Sequence, residues 1–244
     1  MSNVPSPRPP ESTTRPMRRE ASAGSPATAE VRVASAVASG VAYIVDDDEL
    51  VRGALSSLLR SIHLEVRAYG SVEEFVTAPR PADVPSCLVL DVRLRGQSGL
   101  AFQKSLADSG EPHIPIVFMT AHGDIAMSVK AMKAGAVDFL AKPFRDQDMI
   151  DAVVSAIERD AARLEVERSV KDLRAGWESL TPREREVLEL VAKGLMNKQI
   201  ADVMGIALIT AKLHRGQAMR KMDACSVADL MHKMQLLGLG HTTR

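Results

Sequence analysis

The chain is short of several things, and each shortage excludes something. Only two cysteines occur in 244 residues, Cys87 and Cys225, and no Cys-x-x-Cys spacing exists. That rules out a disulfide framework and argues against a cysteine-built metal site. No uninterrupted apolar run reaches ~18 residues, so no transmembrane helix and no membrane partner are expected. The first 40 residues lack the apolar core of roughly 7–15 residues that a secretory signal needs. Net charge is also missing, because 31 Lys+Arg balance 31 Asp+Glu.

That balance hides an asymmetry. Residues 1–40 carry five Arg and three acids, a net of +2. Residues 41–160 carry twelve basic against eighteen acidic residues, a net of −6. Residues 161–177 have four against three, and residues 178–244 ten against seven, giving +1 and +3. An acidic middle suits cation binding, whereas the last third is only mildly suited to a polyanion. Residues 1–40 hold six prolines before Ala27 and are rich in Ser, Ala and Arg. A stretch of that kind cannot bury enough apolar surface to order itself and is expected to be a disordered tail.

From Val41 to about Asp160, short apolar runs alternate with helical patterns. The expected strands are Val41–Val45, Leu64–Ala68, Ser86–Leu90, Ile114–Met119 and Val137–Leu140. Four of them are almost continuously apolar, as buried parallel strands should be. Ser71-Val72-Glu73-Glu74 reads as a capping box opening one intervening helix. Five β units separated by helices predict an α/β fold with a doubly wound sheet. A helix opening near Asp146 continues past the expected domain edge, with Ile150, Val153, Ile157, Ala161 and Leu164 at helical spacing. Residues 161–177 then read as a helical linker, with a dimer coiled coil and a solvated helix as equal alternatives.

Four landmarks place polar groups directly after apolar runs: Asp46-Asp47-Asp48 after Tyr43–Val45, Asp91 after Val89-Leu90, Thr120 after Phe118-Met119, and Lys142 after Phe139–Ala141. In a parallel sheet all four groups emerge at one edge, where open α/β sheets bind ligands. Clustered carboxylates repel one another unless a cation joins them. Mg²⁺ takes oxygen ligands, commonly one or two carboxylates with water and phosphate oxygens. Asp47 and Asp91 can supply two carboxylates, although the run Asp46–Glu49 offers several acidic pairs. A carboxylate can also attack phosphorus to give an aspartyl phosphate. Thr120 could hydrogen-bond phosphoryl oxygens, and the Lys142 ammonium could neutralise them.

After Trp177 the pattern becomes all-helical. Thr181-Pro182-Arg183-Glu184 combines an N-cap, a proline at the first helical position and a returning glutamate. Asn197 is expected to cap a second helix that ends at Gly205. A third helix is expected from about Ile209 to Met222, and Ser226–Asp229 opens a fourth with another capping box. Two short helices joined across Gly205 outline a helix-turn-helix. Thr210, Lys212, His214 and Arg215 on the third helix offer donors for phosphates and base edges. Asn197 and Lys198, at a helix N-terminus, suit phosphate contact.

Val41–Phe144 resembles the receiver domain of two-component response regulators. The carrying segments are Thr120–Asp124, Met132–Phe139 and Lys142-Pro143-Phe144, which look most like the FixJ subgroup. Leu180–Leu237 resembles the LuxR-type helix-turn-helix of FixJ and NarL regulators. Its carrying segments are Leu180–Leu188, Asn197–Ala201 and, as a degraded match, Thr210–Arg215. The resemblance implies a (βα)5 receiver domain at 41–160, a linker at 161–177 and a four-helix DNA-binding domain at 178–244. It makes Asp91 the phosphoacceptor, Asp47 a direct Mg²⁺ ligand, Asp46 a water-mediated one and the Arg93 carbonyl a further ligand. Thr120 and Lys142 contact the phosphoryl group, Phe139 occupies the aromatic switch position, and Lys142-Pro143 is a cis peptide. Lys212 and Leu213 fall at base-reading positions. Arg95 stands where the family often has proline. Ala207 replaces the usual cap of the third helix, and Gly216 weakens its interior, each at ~1 kcal/mol.

The implied function is a cytoplasmic, phosphorylation-dependent transcription regulator that is not itself an enzyme. Its partners are a sensor histidine kinase, a double-stranded DNA operator and, on phosphorylation, a second copy of the chain. RNA polymerase is a further candidate partner. A regulator controlled by partner binding without phosphorylation is one alternative. A Mg²⁺-dependent haloacid dehalogenase-like phosphatase is a remote one, since Leu50 stands where such enzymes usually have Thr, two residues after the second Asp of Asp46-Asp47-Asp48. His63, His113 and His122 match no ligand geometry.

Overall fold

The structure, a computed structural model, describes residues 39–239 other than 97, 110–113 and 122–124. The expected N-terminal tail therefore lies almost wholly outside the described residues, as do His113 and His122.

Five strands form one parallel sheet: β1 (Val41–Val45), β2 (Glu65–Tyr69), β3 (Ser86–Asp91), β4 (Ile116–Thr120) and β5 (Asp138–Ala141). Their spatial order is β2-β1-β3-β4-β5. Four helices lie between them in sequence: α1 (Glu49–Ser61), α2 (Val72–Thr77), α3 (Gly99–Ser109) and α4 (Ile125–Lys133). Strand alternation sends side chains to opposite faces. Ala42 and Ile44 of β1 pack with Leu55 and Leu59 of α1, while Tyr43 and Val45 pack with Phe75 and Phe102. Both faces are covered, which is why β1, β3 and β4 read as continuous apolar runs.

Strand ends differ from expectation by one or two residues. β3 and β4 run one residue further, so Asp91 and Thr120 are their last residues rather than the next ones. Leu64 and Ile114 fall outside β2 and β4, although Leu64 stays buried in the core. An apolar residue packs equally well on a turn beside the sheet, so hydropathy alone cannot mark the first laddered residue.

α5 (Asp146–Glu178) is a single helix of 33 residues. Its first half packs on the sheet through Met149, Val153, Ala156 and Ile157. Ile150 and Ala161 of the expected stripe are only half-buried, while Asp160 is 1% exposed. Asp160 Oδ2 accepts from Ser86 N at 2.8 Å and Ser86 Oγ at 3.3 Å, and Asp160 Oδ1 accepts from Arg163 Nε at 2.9 Å. A buried carboxylate is tolerable because its lone pairs are met in this way. The end of α5 carries Leu173 and Trp177 onto the C-terminal core. There Gly176 comes so close to α8 that an added Cβ would sit 2.7 Å from the Lys221 carbonyl oxygen.

The C-terminal helices are α6 (Pro182–Ala192), α7 (Asn197–Met204), α8 (Leu208–Lys221) and α9 (Val227–Leu236). They share a core built from Val187, Leu188, Ile200, Ala211, Ala218 and Leu230. Thr181 makes the complete expected capping box with Glu184. The other two boxes differ. Ser71 and Ser226 cap Glu74 N and Asp229 N, but the returning carboxylates accept from Gly70 N and Cys225 N, one residue upstream of the cap. Asn197 is not a cap: Met196 holds that position, and Gln199 Oε1 accepts from its N–H at 2.8 Å. Gly205 turns α7 into α8 with φ +63°, a conformation natural to glycine. Among the described residues no helix is long and apolar enough to cross a membrane.

Candidate functional site

Register builds the acidic edge. Val45 pairs with Leu90, Asp91 with Met119, and Thr120 with Ala141, so Asp46, Asp91, Thr120 and Lys142 arrive side by side. Lys142 Nζ donates to Asp46 Oδ2 at 2.7 Å and to Asp91 Oδ2 at 2.9 Å. The second oxygens are also engaged, Asp46 Oδ1 by Asp48 N at 2.8 Å and Asp91 Oδ1 by Arg93 N at 2.9 Å. The Lys142-Pro143 peptide is cis.

Asp46, Asp91 and Thr120 are buried, with exposures of 1%, 8% and 0%. Burial pushes the Asp46 carboxyl above its usual range, against the hydrogen bonds from Lys142 and Asp48. Burial alone would lower Lys142, but its hydrogen bonds to Asp46 and Asp91 outweigh it and hold the ammonium above its usual value. The edge is thus a place where one fixed cation already balances buried carboxylates.

The acidic run resolves by local geometry. Asp48 is the N-cap of α1, its side chain accepting from Leu50 N and Val51 N. Asp46, Asp47 and Asp91 are left, each offering a carboxylate oxygen within 4.8 Å of the other two. Arg95 Nε sits 2.8 Å from Asp47 Oδ2. Three hard oxygen donors, already balanced by two protein cations, fit a divalent ion such as Mg²⁺. Sequence reasoning did not find the Arg95–Asp47 pair, because loop path and not periodicity decides it. It also missed Gly99, where an added Cβ would lie 2.5 Å from the Asp91 carbonyl oxygen.

Phe139 is half-buried, with its ring centroid 6.3 Å from that of Phe118. On the adjacent helix α4, Ile125, Val129 and Met132 are exposed apolar residues at one helical spacing.

On α8 the expected DNA contacts separate into two groups. Lys212 and Leu213 are exposed, and so is Ile209 on the same face, which the sequence reading did not include. Thr210, His214 and Arg215 are half-buried. Arg215 donates to Asn197 Oδ1 at 2.8 Å, and the His214 Nδ1 atom is buried. His214 and Arg215 therefore face the fold as much as the surface, because helical spacing puts them beside buried Ala211 and Ala218. Lys198 is exposed at the start of α7.

Comparison with known proteins now decides the family. Residues 42–154 match the response regulator receiver domain, and residues 178–234 match the bacterial regulatory proteins of the luxR family. Nodulation protein W of Bradyrhizobium diazoefficiens is 54% identical over 199 residues, covering 82% of this chain and 87% of that protein. The chain belongs to the two-component response regulators. The transcriptional regulatory protein FixJ of Azorhizobium caulinodans is 40% identical over 197 residues, covering 81% of the regulator and 92% of FixJ. The solved structure of response regulator StyR matches with a TM-score of 0.72 at 44% identity, covering 81% of the regulator and 98% of StyR. The regulator thus joins a receiver domain to a LuxR-type DNA-binding domain, as its transcriptional relatives do.

Proposed function

We propose that Asp91 accepts a phosphoryl group from the phosphohistidine of a sensor kinase, and that this step controls operator binding by the C-terminal helices. One observation carries the reading: Asp46, Asp91, Thr120 and Lys142 meet at the ligand-binding edge of the sheet, with Lys142 bonded to both acids. In the transfer an Asp91 oxygen bonds to phosphorus while the P–N bond to imidazole breaks, its electron pair leaving with the ring. Lys142 neutralises charge on the phosphoryl oxygens, and the Thr120 hydroxyl donates to one of them. Asp46, Asp47, Asp91 and the Arg93 carbonyl would hold Mg²⁺, which supplies further neutralisation of those oxygens.

The phosphoryl group adds about −1.5 to −2 charges. Thr120 and Lys142 move toward it, and Phe139 follows into the space they vacate. The α4–β5 face then changes shape. Exposed Ile125, Val129 and Met132 on that face support pairing of two copies there. A two-fold dimer presents two α8 helices to a two-fold DNA site in the cytoplasm, with RNA polymerase as the downstream partner.

The test is labelling by acetyl phosphate in Mg²⁺. The native chain is expected to take up label and Asp91→Asn to take up none. Undiminished labelling of Asp91→Asn overturns the acceptor assignment.

A further inference from the structure

Among the described residues, each of the three clustered carboxylates has a cationic partner from the chain itself. Lys142 serves Asp46 and Asp91, and Arg95 serves Asp47. The two cations are held differently. The Lys142 side chain is 20% exposed, whereas that of Arg95 is 88% exposed. The loop that follows Asp91 brings Arg95 back over the acidic edge: Gly96 turns the chain with φ +88°, and Arg93 and Ser98 bridge across the loop. Gly99 N then donates to Val92 O at 3.0 Å, fixing the base of the loop.

A divalent ion held by these carboxylates draws on Asp47, and Arg95 pairs with that same carboxylate through Oδ2 at 2.8 Å. It can displace an exposed guanidinium into water at little cost. The Lys142 ammonium is half-buried and bonded to two carboxylates, so it is held more firmly. We infer that Arg95 is an internal competitor for the divalent cation, pairing with Asp47 in the empty site and swinging away when the cation binds. It acts through Asp47 and is a positioning residue, not a catalytic one. Its consequence is a raised cation concentration for loading the acidic edge, and hence for phosphorylation of Asp91. The inference rests on reading Asp46, Asp47 and Asp91 as a Mg²⁺ site.

An exposed ion pair is worth about 0.2–1 kcal/mol, so removing it should tighten Mg²⁺ binding by up to roughly five-fold. Like-charge repulsion between the guanidinium and the ion acts in the same direction. Coupling is reciprocal, so Mg²⁺ must also loosen the Arg95 pair. The guanidinium side of the pair is exposed, so the difference should shrink as salt screens it.

The experiment is calorimetric titration of the full-length chain with MgCl₂, comparing native, Arg95→Ala, Arg95→Gln and Arg95→Lys proteins at low and high NaCl. Arg95→Ala and Arg95→Gln should bind Mg²⁺ about two- to five-fold tighter, and Arg95→Lys should stay close to native. In parallel, the Arg95 Nε–H resonance should shift as Mg²⁺ is added to the native chain. Equal affinities for native, Arg95→Ala and Arg95→Gln would overturn the inference while leaving the Mg²⁺ reading intact. Absence of Mg²⁺ binding in every protein would overturn the Mg²⁺ reading itself, and this inference with it.

Discussion

Lys142 Nζ stands 2.9 Å from Asp91 Oδ2 at the sheet edge, and the same ammonium also reaches Asp46. Replacing it with methionine keeps the stem and removes the charge. Asp46 and Asp91 are then two buried carboxylates without their shared cation. Lys142→Met should lower stability by about 3–5 kcal/mol at neutral pH, the range for breaking a buried pair from one side. The native ammonium is held above its usual 10.5. Its stabilising share is therefore complete below that value and is lost as pH rises through the folded-state value. Urea unfolding of both proteins from neutral to alkaline pH should show their stabilities converging at the alkaline end. A constant difference across the range would refute the assignment of that share to Lys142.

Gly99 should tolerate no larger residue. A Cβ there meets the Asp91 carbonyl oxygen at 2.5 Å, and neither backbone can yield easily. Gly99→Ala is expected to cost about 1–3 kcal/mol, as overpacking does. It should also slow acetyl phosphate labelling, because the displaced backbone carries the acceptor. Native labelling rates in Gly99→Ala would show that the close approach is not needed for acceptor geometry.

Sequence and structure agree best where burial is periodic and worst where a single polar atom chooses its partner. The four strand-end landmarks were legible because buried parallel strands leave apolar runs, and the polar residue ending each run has few places to go. The Thr181 capping box was legible for the same local reason. The roles inside Asp46-Asp47-Asp48 were not, since hydropathy treats three aspartates alike and only the start of α1 makes Asp48 a cap. The bond from Arg215 to Asn197 was not legible, because Asn197 sits on another helix. Asp160 lies on a charged helix, and nothing in the sequence points to Ser86, 74 residues away.

Asp160 is where α5 is fastened to the start of β3. Asp160→Ala strands Ser86 N–H and leaves Arg163 with Glu167 as its carboxylate partner, and should cost about 1–3 kcal/mol. Asp160→Asn keeps an acceptor for Ser86 N–H and should cost less. Denaturant unfolding of the two variants checks the order. Equal losses would mean that charge, and not the Ser86 contact, is what the site requires.

Glu184 gives the C-terminal helices an acid-sensitive lock. Its carboxylate accepts from Lys221 Nζ at 2.7 Å and Thr181 N at 2.8 Å. Those bonds, Lys221 first, hold it below its usual value of 4.5. A depressed acid stabilises above the unfolded-state value, and that share is lost as pH falls through the folded-state value. The helices around α6 should therefore melt earlier as pH drops below about 4.5, and Glu184→Gln should blunt that dependence. Circular dichroism melts between neutral and acid pH distinguish the two. Parallel curves for both proteins would remove Glu184 from the account.

Lys212 and Arg215 are close on one helix but should fail in different ways. Lys212 is exposed beside Ile209 and Leu213, so its loss leaves the fold intact. Lys212→Ala should weaken operator binding without changing the melting temperature. If the contact is to phosphate, the salt slope of log K should fall by about one. Arg215 holds Asn197 on α7, so Arg215→Ala should lower the melting temperature by loosening the turn around Gly205. Its effect on DNA then follows from a helix that no longer stands at its proper angle. Adding Asn197→Ala discriminates further: in a double-mutant cycle the stability losses should be far from additive, as expected for partners in direct contact. Additive losses would release Arg215 from its structural role and return it to the groove.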